Sequence, residues 1–358
     1  MTQDKMQTGQ RMTRIGMALG IGAVGGAIFN YLSMPLPWML GALVFNTIAA
    51  TAGIPIVGPS RMRNVVVVVI GVMLGSGFTP DLFSQLAAWL LSLSFLAVYL
   101  FIAGVIVVPY YMLIGKFDLA SAYFAGMPGG LSEMILIGRD MGGDERKIAL
   151  AHASRVVITV MLLALWFRFG AGLQVEERGA VGVPFAAIPA TEILILTACG
   201  VLGYFTGRIL HLPAPTLVGP MIFSALAHIF EFSTTPPPQE LVILAQLVLG
   251  TIVGCRFVGS TARQIGHAIT LSIGATIITL SVTLCFALLM HQLFAQNVNQ
   301  VLLAYAPGGL AEMSLIALAM GAEVDYVALH HIVRITIIVI IAPLIFRFLR
   351  AKVGAPNN

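Results

Sequence analysis

The chain has 358 residues, of which 58% are apolar and only 9% are charged, and its formal net charge is +4. A soluble globular domain carries about 25% charged residues, so this composition excludes a soluble protein and predicts an all-α polytopic membrane protein. The basic residues are scattered through short loops, which excludes the continuous basic surface of a protein that binds nucleic acid directly. The three cysteines lie in apolar stretches without metal-ligand spacing and predict buried thiols.

Twelve apolar stretches follow one another along the chain, six in each half. In the first half they cover residues 14–32, 36–53, 64–78, 86–114, 118–138 and 147–168. In the second half they cover residues 192–208, 214–231, 241–255, 266–291, 301–320 and 327–347. The first stretch follows three basic residues and could be taken for a signal peptide. Its counterpart in the middle of the chain predicts a retained helix instead.

The two halves are related by an internal duplication. Residues 123–168 align with residues 302–347, and 20 of the 46 aligned pairs are identical. The identical pairs include ionisable residues, which are costly inside a bilayer unless they are paired or hydrated. A duplicated set of such residues predicts a functional centre at the interface of two repeats. We therefore predict two membrane repeats, over residues 14–169 and 192–348.

The distribution of basic residues predicts how the repeats cross the membrane. If all twelve stretches span, six basic loop residues lie outside and eleven lie inside. In the alternative arrangement, stretches 118–138 and 301–320 each enter and leave the membrane on the same side. Fifteen basic residues then lie inside, and only Arg168 and Arg178 lie outside. The positive-inside rule favours the second arrangement. It predicts five spans plus one re-entrant or broken helix per repeat, inverted repeats, and both termini in the cytoplasm.

The two exceptional stretches are interrupted by residues that break helices. Proline lacks a backbone donor and glycine is a weak helix former. Each break contains one proline and two glycines: Pro128, Gly129 and Gly130 in the first repeat, and Pro307, Gly308 and Gly309 in the second. Non-helical backbone at membrane depth is tolerated only where protein or water satisfies it. We predict that these residues bind a substrate or an ion, as a re-entrant hairpin or as a broken crossing helix.

Each repeat also carries a glutamate, a histidine and an arginine: Glu133, His152 and Arg155, and Glu312, His331 and Arg334. The histidine and arginine are three residues apart and share a helix face. Arginine stays protonated, whereas glutamate and histidine can exchange protons near neutrality. The functional interpretation is that the arginines hold an anionic group or a glutamate, while the glutamates carry coupling protons, with the histidines as further candidates for this role. In the alternative interpretation, each Glu–Arg pair only locks the hairpin to the following helix.

The paired PGGLxEM segments at 128–134 and 307–313, with the HxxR pairs at 152–155 and 331–334, resemble the membrane AbrB-duplication family of bacteria. Such proteins are often labelled AbrB family transcriptional regulators or ammonia monooxygenases, and the resemblance implies one of these functions. The residues favour neither. A DNA-binding protein needs a soluble basic surface, and an oxygenase needs a metal cluster. The Pro–Gly breaks are similar to those of cation–proton antiporters and bile-acid symporters, which is an architectural analogy.

These patterns predict a secondary active transporter of a small anionic solute, coupled to H⁺ or Na⁺, in the bacterial inner membrane. The alternative is a regulatory integral membrane protein that acts indirectly on gene expression. The predicted partners are the solute or ion and the lipid bilayer, without direct nucleic-acid binding, and a homodimer stays open. We predict no enzymatic activity, cofactor or metal site. The six ionisable residues and the two Pro–Gly breaks are expected to converge near the bilayer midplane.

Overall fold

The structure is a computed structural model that describes residues 8–78, 82–170 and 183–353. Lys5, which lies in the basic N-terminal segment, and Arg178, which enters the count of loop charges, lie outside these residues. Within the described ranges the regular elements are helices, and no β-strand occurs. Seven of these helices are long and apolar enough to cross a membrane. The protein is an all-α polytopic membrane protein, as its composition predicts.

Each half of the described chain contains the same series of seven α-helices. The first series is α1 (Thr8–Tyr31), α2 (Pro37–Thr51), α3 (Arg63–Gly75), α4 (Leu82–Leu113), α5 (Leu119–Gly126), α6 (Leu131–Asp140) and α7 (Glu145–Leu165). The second series is α8 (Ala190–Ile209), α9 (Pro215–Ile229), α10 (Gln239–Gly254), α11 (Ala262–Phe294), α12 (Val298–Tyr305), α13 (Leu310–Ala319) and α14 (Val324–Val353). Helix α12 begins 179 residues after α5 (298 − 119), so the structural repeat follows the sequence repeat.

The stretches that contain the Pro–Gly breaks each form two short helices, of 8 and 10 residues. A helix of 10 residues is about 15 Å long, which is half of the ~30 Å hydrocarbon thickness. In the first repeat, the backbone N–H of Asp144, just after α6, donates to the Ser121 hydroxyl in α5 at 2.7 Å. The two ends of this segment therefore lie side by side, which is the geometry of a hairpin.

The helices are grouped into two compact units that cut across the two sequence repeats. The first unit contains α1, α2 and α3 together with their counterparts α8, α9 and α10. The second unit contains α4, α5 and α6, most of α7, and the counterparts α11, α12 and α14. Most of α13 lies in the first unit, whereas its counterpart α6 lies in the second. Apart from this pair, each unit is assembled mainly from equivalent helices of both repeats.

Glycine seams hold the first unit together. A Cβ atom added to Gly71 on α3 would lie 2.5 Å from the carbonyl oxygen of Leu217 on α9. The equivalent Gly250 on α10 makes the same kind of approach to the carbonyl oxygen of Met39 on α2. The Gly-x-x-x-Gly patterns of α3 (Gly71 and Gly75) and α10 (Gly250 and Gly254) therefore mark close helix packing. The third helix of each repeat therefore packs on the second helix of the other.

Replacement of Gly71 by alanine tests this seam. Gly71→Ala should lower the free energy of unfolding by about 1–3 kcal/mol, because the added methyl group overpacks a backbone contact. Gly20→Ala on α1 is the matched control, since nothing lies within 4 Å of its added Cβ. The control should be neutral or slightly stabilising, because alanine favours helices. Unfolding of both variants in detergent micelles is the measurement, and equal stability would contradict the seam.

Candidate functional site

The break after α5 leaves backbone carbonyls without helical partners inside the second unit. Met127 has an extended backbone (φ −66°, ψ 129°), as expected for a residue that precedes proline. Pro128 has no N–H to donate, so the helix cannot continue. The carbonyls of residues 124–127 therefore need donors from elsewhere, since the last carbonyls of any helix lack intrahelical partners.

Arg155 on α7 supplies these donors. Its Nη1 donates to the carbonyls of Ala125 at 3.0 Å and Gly126 at 3.3 Å, and its Nη2 donates to the carbonyl of Met127 at 3.2 Å. The side chain is only 2% exposed. A cation at this position also lies at the negative end of the α5 dipole. Arg155 thus caps the carbonyl end of the half-helix and joins the hairpin to α7.

His152 completes the cap. Its Nε2 lies 2.8 Å from the carbonyl oxygen of Phe124, and its Nδ1 lies 2.8 Å from Nη2 of Arg155. A guanidinium group can only donate, so Nδ1 must accept the hydrogen bond. The proton is then on Nε2, which donates to Phe124. This geometry holds His152 as one neutral tautomer between the arginine and the helix end.

The second repeat builds a similar cap, in which Nδ1 of His331 has no hydrogen-bond partner among the described residues. Arg334 on α14 is 1% exposed and donates through Nη1 to the carbonyl of Ala306 and through Nη2 to that of Gly308 at 2.7 Å. His331 Nε2 lies 3.0 Å from the carbonyl oxygen of Leu303, the residue equivalent to Phe124. The two HxxR pairs therefore share one structural task, the capping of a half-helix inside an apolar unit.

Each glutamate lies over the second glycine of its break. A Cβ atom added to Gly130 would clash with Oε2 of Glu133, and one added to Gly309 would clash with Oε2 of Glu312. Only glycine leaves room for the carboxylate there. A glutamate that folds back over the residue preceding its helix has the geometry of a capping box. It also lies at the positive end of the half-helix dipole. Both glutamates are half-buried.

The first glycine of each break makes room for a buried methionine. A Cβ atom on Gly129 would lie 2.9 Å from Cγ of Met134, and one on Gly308 would lie 2.8 Å from Cγ of Met313. The same added atom on Gly129 would lie 2.9 Å from Cγ2 of Ile338 on α14. Ile338 is one helical turn beyond the arginine of the second repeat. The PGGLxEM pattern therefore describes a compact tip, and the first tip packs on the helix that caps the second.

The two guanidinium groups lie close enough to influence each other electrostatically. Tyr99 on α4 lies near both, and its hydroxyl accepts a hydrogen bond from Thr283 on α11 at 3.0 Å. Among the described residues, neither arginine forms an ion pair with a carboxylate, and Nε of each has no hydrogen-bond partner. The arginines thus bind the backbone at the two helix breaks and form no ion pair with Glu133 or Glu312. In the part of the chain that the structure describes, the hydrogen-bond partners of these two buried cations are dipoles.

The sequence interpretation missed the polar stripe on α11. Ser272, Thr276, Thr279 and Thr283 are all buried, at spacings of four, three and four residues that place them on one helix face. Thr283 binds Tyr99, and Ser272 donates to a backbone carbonyl of α7 at 3.2 Å. A polar stripe at helical spacing in an apolar helix was visible in the sequence. It identifies α11 as a wall of the site.

The comparisons with known proteins cover the whole of this architecture. A family model described as "Transition state regulatory protein AbrB" matches residues 5–350. The protein YhjN of Bacillus subtilis (strain 168) is 22% identical over 363 aligned residues, which cover 95% of this chain and 94% of that protein. A protein of Escherichia coli (strain K12) named "Putative regulator AbrB" is 23% identical over 325 aligned residues, covering 90% of this chain and 92% of its own.

The capping role of Arg155 can be tested by a change that keeps the charge. Arg155→Lys should lower the free energy of unfolding by about 3 kcal/mol or more, because a single ammonium cannot reproduce the fork of charge-assisted hydrogen bonds. Arg139→Lys is the control: its side chain is 55% exposed and pairs with neighbouring Asp140 at 3.3 Å, a pair worth at most about 1 kcal/mol. Unfolding in detergent compares them, and an unaffected Arg155→Lys variant would refute the cap.

The other end of the first hairpin gives a second prediction. The Asp118 carboxylate caps α5 by accepting from the backbone N–H of Ser121 at 2.9 Å. Burial raises the pKa of Asp118, but hydrogen bonds from Ser121 and the charge of Lys147 outweigh burial and hold it below its ordinary 3.8. Asp118→Ala should therefore cost about 1 kcal/mol near neutral pH. This cost should shrink as the pH falls through the lowered pKa, because the stabilising charge is then lost.

Asp118→Asn is the matched control, since asparagine keeps the acceptor oxygen and is an equally good N-cap. The second repeat already carries Asn297 at the equivalent position, where its side chain accepts from the backbone of Asn299 and Gln300. Denaturation curves for the wild type and both variants, recorded at neutral and acidic pH, separate the contribution of the acceptor oxygen from that of the negative charge. An Asp118→Ala variant as stable as Asp118→Asn at neutral pH would contradict the N-cap.

Proposed function

The chain belongs to the AbrB family, and we propose that it is a secondary active transporter of a small anionic solute, coupled to H⁺ or Na⁺. Its setting is the bacterial inner membrane, with both termini in the cytoplasm. Support for transport comes from the fold, a helical membrane protein in which two duplicated helix breaks are accompanied by buried or half-buried ionisable residues. Intramembrane charges at helix breaks are the usual feature of transport sites.

The observation that carries the proposal is the pair of buried arginines that have no carboxylate partner among the described residues. Taking one cation out of water costs several kcal/mol, and two nearby cations also repel each other. The half-helix carbonyls offset part of this cost. Arg155 and Arg334 each keep an unpartnered Nε–H among the described residues. A bound anion would supply both the missing negative charge and the missing acceptor, which favours a carboxylate, phosphate or sulfonate solute.

The glutamates supply the coupling in this proposal. Glu133 and Glu312 lie at the same tips as the arginines, half-buried at the start of α6 and α13. An anion near these carboxylates is repelled while they are charged and is accepted once they bind a proton or a Na⁺. Binding free energies are linked reciprocally, so the anion also raises the affinity for the cation. Anion and cation are then expected to move together, as in a symporter.

The second candidate is a regulatory membrane protein that acts indirectly on gene expression. The names of the family model and of the Escherichia coli relative favour it. With 9% charged residues over the whole chain, regulation would have to pass through a protein partner or through a transported signal. The two candidates make different demands on the hairpin site, because only transport requires a solute to bind there.

A ligand screen by thermal unfolding separates them. A solute that binds only the folded protein at 100 times its Kd adds about 2.7 kcal/mol of stability. Small carboxylates, phosphates and sulfonates should raise the melting temperature, while neutral analogues of the same size should not. The anions that stabilise should then be taken up by proteoliposomes in a manner driven by a H⁺ or Na⁺ gradient. Absence of any ligand and any flux, with co-purification of a defined protein, would favour the regulatory candidate.

Neutralising the glutamates tests the coupling. Glu133→Gln combined with Glu312→Gln should abolish gradient-driven flux while folded protein is recovered at a similar level, because glutamine keeps the volume and part of the hydrogen bonding. Glu145→Gln, at an exposed position in the first turn of α7, is the control and should keep full flux. Full transport by the double variant would exclude these carboxylates as the coupling groups.

A further inference from the structure

We propose that the first unit binds one anionic phospholipid, with an acyl chain in a groove between α3 and α8 and the phosphate at the basic end of that groove. The groove is a cavity of about 400 Å³, within the usual size of small-molecule sites. Its walls are almost wholly apolar and come from residues 64–72 of α3, 193–205 of α8 and the start of α10. This site is independent of the hairpin site and of the proposed transport.

The groove is open along one side. Val201 and Phe205 line it and are 49% and 59% exposed, and Val65 on the opposite wall is 67% exposed. On a membrane-spanning helix such as α8, exposed apolar side chains face lipid. An acyl chain can therefore enter the groove sideways from the bilayer.

The directions of the helices fix the two ends of the groove. Gly203 and Gly207 on α8 approach Pro220 and Pro215 on α9 in reverse order, so α8 is antiparallel to α9. Successive glycines of α3 approach successive turns of α9, from Leu217 to Met221, so α3 is parallel to α9. The carboxyl end of α8 therefore lies beside the amino end of α3.

This end of the groove is basic. Arg61 and Arg63 are exposed at the start of α3, next to Asn64, which lines the groove. At the end of α8, the guanidinium of Arg208 lies 4.7 Å from the ring centroid of Tyr204, another lining residue. Basic pockets between membrane helices bind phospholipid head groups, with about 1 kcal/mol of attraction for each Lys or Arg near the surface.

The opposite end is closed and acidic. Phe185, Pro237 and Pro238 cover it. The backbone N–H of Phe185 donates to Oε2 of Glu240 at 3.0 Å, which fixes this cover over the start of α10. A phosphate is disfavoured beside a carboxylate, so the groove accepts an anionic lipid in one orientation only, with its tail toward the closed end.

The length of the groove also matches an acyl chain. Residues 193 and 205 of α8 are separated by about 18 Å at a rise of 1.5 Å per residue. One leaflet occupies about half of the ~30 Å hydrocarbon core. A second copy of the chain fits less well, because a two-fold axis along the membrane normal would place its basic end on the same membrane face as Arg63 and Arg208.

The test is native mass spectrometry of the full chain in detergent containing equal amounts of dioleoyl-phosphatidylglycerol and dioleoyl-phosphatidylcholine. The wild type should retain one phosphatidylglycerol in preference to phosphatidylcholine. Arg63→Gln combined with Arg208→Gln should weaken phosphatidylglycerol binding about 30-fold, the combined effect of two surface arginines. Arg347→Gln combined with Arg350→Gln, on exposed residues of α14, is the charge control and should bind as the wild type does.

A second pair of variants tests the groove itself. Val201→Phe fills it and should abolish retention of either lipid, whereas Leu202→Phe alters a neighbouring side chain that is 54% exposed and does not line the cavity. Thermal unfolding should show both variants folded. Equal retention of the two lipids by the wild type, or equal retention by the two phenylalanine variants, overturns the proposal. So does a wild-type dimer that Val201→Phe converts to a monomer, which would make the groove a protein interface.

Discussion

The structure depends on one constraint, the need to satisfy the carbonyls of a helix that stops inside an apolar protein. Water is scarce there, and an unpartnered backbone group costs several kcal/mol. A guanidinium meets this need well, because its planar fork reaches several carbonyls at once and carries the charge that a helix carboxyl end favours. Arg155 and Arg334 each bind carbonyls from consecutive or nearly consecutive residues. The positions of α7 and α14 follow from this, since each must present its arginine to a tip.

Because both repeats use an arginine as the cap, two positive charges are buried in one unit, and the proposed function rests on this pair of charges. One capped half-helix balances a cation against a partial negative charge, roughly half a unit for a full helix dipole. Two such caps place two buried guanidinium groups in the second unit, and among the described residues neither forms an ion pair with a carboxylate. Helix packing alone could have closed this region with apolar residues, which often gives equal or greater stability than buried charges. A bound anion would offset the charge that capping alone leaves buried in this region.

Much of this could be predicted from the sequence, and the exceptions have physical reasons. The offset between the halves predicted the equivalence of α5 with α12 and of α7 with α14, and proline followed by two glycines predicted the breaks. The three-residue spacing of His152 and Arg155 predicted a shared face. Their hydrogen-bond partners could not be predicted, because every residue has a backbone carbonyl and the sequence does not show which carbonyls lack a donor. A glutamate such as Glu133 is recognisable from the sequence as a counter-ion, so it was the partner expected. The compact units were also hidden, since the approach of Gly71 to Leu217 joins two repeats.

The tips show why binding of a neutral pair of ions suits this site better than binding of one charge. Each tip places a carboxylate at the amino end of one half-helix and a guanidinium at the carboxyl end of the other. These groups and the backbone dipoles are fixed by packing, as the buried methionines and the glycines beneath the carboxylates indicate. A lone anion would be attracted by the arginine but repelled by the glutamate. A lone cation would be attracted by the glutamate but repelled by the arginine. When an anion and a cation bind together, the arginine attracts the anion and the glutamate attracts the cation. Coupled binding of the two ions then follows from the arrangement of fixed charges, without a large movement of the site.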